Sequence, residues 1–199
     1  MIIFVADAFV GGAELTSDAL IKSSLYPHVK VVSSRLTTNH MKNIKNSFWI
    51  FGNFANLSNE CLMYAIKNLN YSVLEYDYKY CIYRSPEKHV MASGACNCKD
   101  TARGKLVAMF LKYAKINWWM SEQQKKAYQE QYSFLEGSVL SSVFSQETLD
   151  LLDKIYTEQK NDTWLILNSQ SWIKGVDEAV KYAKTNDLKY ELVWGLEYE

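Results

Sequence analysis

Proline is nearly missing from this chain, with only Pro27 and Pro86 among 199 residues, and there is no repeat, low-complexity tract or block of like charge. With 48% hydrophobic and 14% aromatic residues, such a chain buries a core along most of its length, and disorder is not expected except at its end. Excess charge is missing too. Lys+Arg and Asp+Glu both number 22, for a formal net charge of zero, which removes the basic footprint of a nucleic-acid binder. No basic segment precedes the first apolar stretch, and that stretch breaks at Gly11-Gly12, too soon for a signal peptide or a membrane span. A soluble, cytoplasmic chain without a transmembrane segment is expected. In that compartment the four cysteines, Cys61, Cys81, Cys96 and Cys98, are free, metal-bound or catalytic rather than paired.

What is present begins with a strand. Ile2-Ile3-Phe4-Val5-Ala6 is a continuous apolar run, followed by a loop ending in Gly11-Gly12 and a helix opening at Ala13-Glu14. This is the first β-α unit of a parallel sheet. Two adjacent glycines let backbone approach a ligand closely, or simply make a tight turn. Further strands follow at 28–33, 48–51 and 71–77, with helices over 37–44 and 56–69 between them. The helix over 56–69 sets Leu62, Ala65, Ile66 and Leu69 on one face. After an irregular segment over 78–100, a helix capped by Asp100 or Thr101 carries Leu106, Val107, Phe110 and Tyr113. A short strand at 117–120, a polar helix opened by the capping box at Ser121, a strand over 139–144 and a helix capped by Ser145 complete this part. The rhythm predicts an α/β fold, Rossmann-like and doubly wound, with a mostly parallel sheet and helices on both faces. The polar, aperiodic stretch from Gln159 to Asp162 marks a boundary. Domains are therefore expected over 1–160 and 161–199, the second an unfinished β-α-β unit.

The segment over 78–100 is longer than an ordinary connection, and its aromatics and cysteines favour an ordered, functional loop. Asp77, at the carboxyl end of a strand, and His89, with a pKa suited to proton transfer, are candidate general bases; each also has a bland reading, as a cap and as a solvated loop residue. Glu75 is a further carboxylate there. Cys81, His89, Cys96 and Cys98 have the composition of a structural zinc set, although Cys-x-Cys is tighter than the usual spacing; free thiols are the alternative.

The strand, the loop ending Gly11-Gly12-Ala13-Glu14 and the helix resemble the amino-terminal motif of glycosyltransferases of the GT-B fold, family 4 in particular. Trp172-Ile173-Lys174-Gly175-Val176-Asp177, after a strand and opening a helix, is similar to the Lys-Gly-x-Asp segment that begins the carboxy-terminal domain of that family. The resemblance implies one half of a GT-B architecture, the acceptor-side domain, and the start of the donor-side domain. It implies transfer of a sugar from a nucleotide-sugar donor to an acceptor it does not identify, with no cofactor required. Gly11 and Gly12 then line the donor phosphates and Lys174 contacts the diphosphate. Glu14 matches the motif glutamate, though a carboxylate in the first turn also suits a helix N-terminus. Tyr76, Tyr78 and Arg84, with Tyr80, Tyr83 and Lys88, are acceptor-side candidates or else packing residues. The family's paired acidic residues of the second domain have no counterpart in this sequence, nor does the arginine that usually accompanies the lysine. The competing expectation is a non-catalytic Rossmann-like module that binds a sugar, nucleotide or protein. Uncovered apolar faces of the unfinished unit favour self-association into a homo-oligomer.

Overall fold

A computed structural model describes residues 1–8, 11–156 and 162–194. Two compact units are formed, Met1–Thr148 and Leu149–Glu199; the boundary expected at 160/161 lies outside the described residues.

In chain order the first unit contains β1 (Ile2–Ala6), α1 (Gly12–Ser23), β2 (His28–Val32), α2 (Thr38–Asn43), β3 (Phe48–Phe51), α3 (Asn59–Asn68), β4 (Asn70–Glu75), α4 (Pro86–Ser93), α5 (Ala102–Tyr113), β5 (Asn117–Trp119), α6 (Glu122–Gln131) and β6 (Ser138–Val139). The strands are rich in β-branched and aromatic residues, which suit a pleated surface. Side-chain oxygens of Thr37, Ser58, Ser85, Thr101 and Ser121 accept backbone N–H groups at the starts of α2 to α6, each satisfying a donor the helix leaves free.

All six strands pair in parallel, in the order β2-β1-β3-β4-β5-β6. The fold is the expected α/β, Rossmann-like sheet flanked by helices. Alternation along the strands divides the burial. Ile3, Val5, Trp49, Phe51, Tyr71 and Val73 join one core with Leu62 and Ala65 of α3 and Val107, Phe110 and Leu111 of α5. Phe4, Ala6 and Leu74 are buried outside that cluster, as are Ala19 and Ile21 of α1. Aromatic packing anchors the centre, where Phe110 stacks on Tyr71 at 4.7 Å between centroids and meets Phe51 edge-on at 5.1 Å. The Tyr71 hydroxyl donates to Phe110 O at 2.6 Å.

Two local expectations change. The strand read over 139–144 is only Ser138–Val139, paired to Trp118 and Trp119; Leu140 N still donates to Trp119 O at 2.9 Å, but Ser141 turns to φ +66° and ends the ladder. The segment over 78–100 is not wholly irregular, since α4 lies within it.

The second unit holds most of α7 (Gln146–Tyr156), then β7 (Trp164–Asn168), α8 (Val176–Thr185) and β8 (Tyr190–Trp194). β7 and β8 pair in parallel as a two-stranded sheet, so the β-α-β unit read from sequence is present. Trp164, Leu165 and Leu167 of β7 and Leu149, Leu151 and Leu152 of α7 are exposed. Among the described residues no helix is long and apolar enough to cross a membrane.

Candidate functional site

Because β2 lies to one side of β1 and β3 to the other, the chain reverses its winding between β1 and β3. In such sheets a crevice opens there, beyond the carboxyl ends of the strands. Asp7 follows β1 directly, Gly52 and Asn53 follow β3, and Glu14 lies in the first turn of α1. All four are buried. The loop after β3 reaches both carboxylates: Asn53 Nδ2 donates to Glu14 Oε1 at 3.3 Å, and Asn56 Nδ2 to Asp7 Oδ1 at 3.1 Å. Ser33 Oγ, just past β2, also donates to Asp7 Oδ1. The remaining oxygens, Asp7 Oδ2, Glu14 Oε2 and Asn53 Oδ1, have no hydrogen-bond partner among the described residues. Buried polar atoms are normally satisfied, so unpaired acceptors on Asp7 and on the bonded pair Glu14 and Asn53 mark places where donors are wanted.

Gly12, at the start of α1, adds to this. Its backbone is not in the left-handed region, and a Cβ there would meet no described atom within 4 Å. Neither conformation nor packing against the described residues requires glycine at 12, which is exposed and leaves open space beside the start of α1. Gly11 is the extended residue before the helix, with φ −161°, and caps it with no side-chain bond.

A second polar cluster surrounds the end of β4. Glu75 and Lys79 are fully buried as side chains, with Lys79 Nζ 3.5 Å from Glu75 Oε1 and 3.3 Å from Asp77 Oδ1. Glu75 Oε1 also accepts the Lys79 backbone N–H at 3.1 Å and the Tyr128 hydroxyl at 3.0 Å. Burial holds the Glu75 carboxyl well above the usual carboxylate range, against the pull of Lys79. Asp77 Oδ2 accepts Arg84 Nε at 2.6 Å and pairs with a second nitrogen of the same guanidinium. Lys79 stands near Asp77 Oδ1 without being aimed as a donor to it. A carboxylate between two cations is suited to holding charge and shape more than to taking a proton.

The tyrosine candidates are engaged within the protein. The Tyr76 hydroxyl is 2.7 Å from Ser17 Oγ of α1, and Tyr78 stacks on Tyr128 at 5.6 Å. Arg84, at φ +56°, closes the turn after β4, where Tyr78 N donates to Arg84 O at 3.3 Å.

His89, on α4, joins the cysteines. Its Nδ1 is 3.5 Å from Cys81 Sγ and 3.3 Å from Cys98 Sγ, and Cys96 Sγ is 3.8 Å from Cys81 Sγ. The four ligand atoms all lie within 4.8 Å of one another, a grouping that could hold a metal ion. Burial, with the neighbouring thiols adding to it, pushes the Cys81 thiol up to about 12, a poor setting for a nucleophilic thiolate. Cys61 stands apart in the core, its thiol donating to Leu36 O at 3.5 Å.

Lys174 belongs to the second unit. It ends a 3-10 turn over Trp172–Lys174, exposed, just before Gly175 at φ +73° and the start of α8. A depression at the amino-terminal edge of the first sheet, lined by Ile2, Phe48 and Asn70 among others, contains no carboxylate and lies at the opposite end from the reversal point.

Asp7 and Asn53 are functional candidates that only the structure brings forward. Like Asp77, Asp7 is an acid just past the carboxyl end of an apolar strand, directly after β1. Asn53 has no such signal, because its part depends on the pairing of β3 beside β1. No protein-family model, curated protein or solved structure matches this chain.

Proposed function

We propose that the chain serves glycosyl transfer, as the acceptor-side Rossmann-like half of a GT-B-type glycosyltransferase with the opening of its donor-side half, moving a sugar from a nucleotide-sugar donor to an acceptor. The carrying observation is the set of unpaired acceptors, Asp7 Oδ2, Glu14 Oε2 and Asn53 Oδ1, at the point where the sheet reverses its winding. A site rich in acceptors calls for a ligand rich in O–H donors, which describes a sugar. Two buried carboxylates repel a diphosphate, so the Gly11-Gly12 turn beside Glu14 suits sugar hydroxyls; the diphosphate role of Lys174 comes from the family resemblance alone. A hydroxyl bonded to Asp7 Oδ2 or Glu14 Oε2 is placed to give up its proton as it attacks. Asp77, clamped by Arg84, and His89, among the cysteines, are less suited to that part. The reaction needs no metal in the resembled family, which gives a zinc ion at the cysteine–histidine cluster a structural part.

Binding of UDP-glucose, GDP-mannose and free hexoses to the full chain, read by saturation-transfer NMR, tests this. Loss of one charged hydrogen bond corresponds to about a tenfold to hundredfold weaker sugar binding, the result expected for Glu14→Gln and for Asp7→Asn. Lys174→Ala is expected to weaken the nucleotide sugars and leave free hexose unaffected. Unchanged hexose binding in both carboxylate variants would overturn the assignment.

A further inference from the structure

We infer that Cys81, His89, Cys96 and Cys98 are a structural zinc site, with three thiolates and His89 Nδ1 around one ion, that clips the connection between β4 and α5. A tetrahedral zinc ion with Zn–S of about 2.3 Å and Zn–N of about 2.0 Å sets sulfur atoms about 3.8 Å apart and sulfur and nitrogen about 3.6 Å apart. The observed separations are 3.8 Å between Cys96 and Cys81 sulfurs, and 3.5 and 3.3 Å from His89 Nδ1 to the sulfurs of Cys81 and Cys98. The same 3.8 Å is far beyond the roughly 2.05 Å of a disulfide. Three soft sulfurs and one imidazole favour zinc over calcium, magnesium or manganese. Four protein ligands fill a tetrahedral shell, and Cys81 and Cys98 are buried in the main core, so no position is left for a substrate or an activated water.

The surrounding chain is arranged as a closed site requires. The Tyr83 ring packs edge-on to His89 at 4.9 Å, giving that ligand outer support. Cys98 O accepts the Thr101 hydroxyl at 2.7 Å, tying that ligand to the cap of α5. Helix α4 buries none of its residues and therefore has little apolar surface to hold it to the sheet; ligation through His89 supplies the anchor. A long connection then keeps one shape through four bonds to an ion rather than through a core of its own. The inference is independent of the sugar site.

The test uses the full, reduced chain. Metal analysis after purification without chelator is expected to give about one zinc per chain, the stoichiometry a single closed four-ligand site allows. Cobalt substitution is expected to give the visible bands and thiolate charge-transfer of a tetrahedral sulfur-rich site. The Cys96→Ser/Cys98→Ser variant is expected to lose the metal, and Cys61→Ser to retain it. Stripping zinc should remove hydrogen-exchange protection across residues 78–100 while leaving β1 and β3 protected. Failure of the unsubstituted reduced chain to take up stoichiometric zinc, a six-coordinate cobalt spectrum, or exchange over 78–100 unaffected by the metal would each overturn the inference, and none of the three depends on a variant.

Discussion

Gly104→Ala is expected to destabilise the first unit by about 3 kcal/mol, the upper end of what overpacking costs, because the neighbour it meets cannot move aside. A Cβ on residue 104 would stand 2.0 Å from Cys98 O and 2.9 Å from Cys98 C, both backbone atoms. Gly104 lies in the first turn of α5, where its N–H bonds the Thr101 hydroxyl at 3.0 Å, and the Tyr132 hydroxyl donates to its carbonyl at 3.4 Å. It is held from three sides. The strain can be relieved only by lifting the Cys98–Asp100 turn off α5, which draws one thiol away from the other three ligands. The variant is thus expected to lose zinc as well as stability, read together by urea denaturation and metal content. Stability within a few tenths of a kcal/mol of the parent would mean that the turn does not pack on α5 as described.

Lys79→Met is expected to cost about 3–5 kcal/mol near pH 8, as removal of one member of a buried charge pair does. The methionine fills the space beside Phe54, whose ring centroid lies 5.1 Å from Lys79 Nζ, but leaves the buried Glu75 carboxylate without its cation. Asp77 keeps Arg84; Glu75 keeps only the Tyr128 hydroxyl and a backbone N–H. The pH dependence has a definite sign. Burial raises the Glu75 carboxyl to about 7 with Lys79 still in place. A group whose pKa is raised on folding contributes stability that is fully present below its unfolded value and lost as pH rises through its folded value. Without Lys79 the folded value rises further, since that cation opposes the effect of burial. The deficit of the variant should therefore be smallest near pH 5, where Glu75 is protonated in both proteins, and grow toward about pH 8.5. Denaturation midpoints of the two proteins across that range measure it, and a deficit independent of pH would contradict the charge-pair account.

Much of the strand layout is legible in the sequence because several strands read as continuous apolar runs, the central ones of the first sheet buried and Trp164–Asn168 of the second largely exposed. Ile2–Ala6, Phe48–Phe51 and Trp164–Asn168 are found at the bounds their patterns mark. The pattern fails where a single turn residue or a missing apolar face decides the outcome. Val139 to Phe144 has a strand's composition, yet a single left-handed residue, Ser141, decides its end. Helix α4 has no apolar face to detect, although Ser85, Pro86 and Gly94 are a cap, a first-turn proline and a left-handed stop, with φ +77° at Gly94. On α5 Val107 and Phe110 of the stripe are buried as read, with Ala108 and Leu111 beside them, while Tyr113 at its end is exposed.

The candidate sites divide in the same way. Cys81, His89, Cys96 and Cys98 are legible from residue type alone, whereas the tight Cys-x-Cys spacing is reconciled with one cluster only by the turn over Cys98–Asp100 and the helix that carries His89. Glu14 read as a first-turn carboxylate favourable to α1. Its burial against Asn53 follows from β1 and β3 being neighbours, a pairing between residues 39 apart that no local pattern encodes.

The assignment of the winding-reversal point as a sugar site is tested most directly by amide NMR of the full chain during addition of a nucleotide sugar. The Asn53 side-chain amide and the Gly12 backbone amide are expected to shift together and saturably, while Asn68 and Asn70, at the opposite edge of the sheet, stay in place. Saturable shifts at Asn68 and Asn70 with none at Gly12 and Asn53, or no saturable shift at either edge, would contradict it.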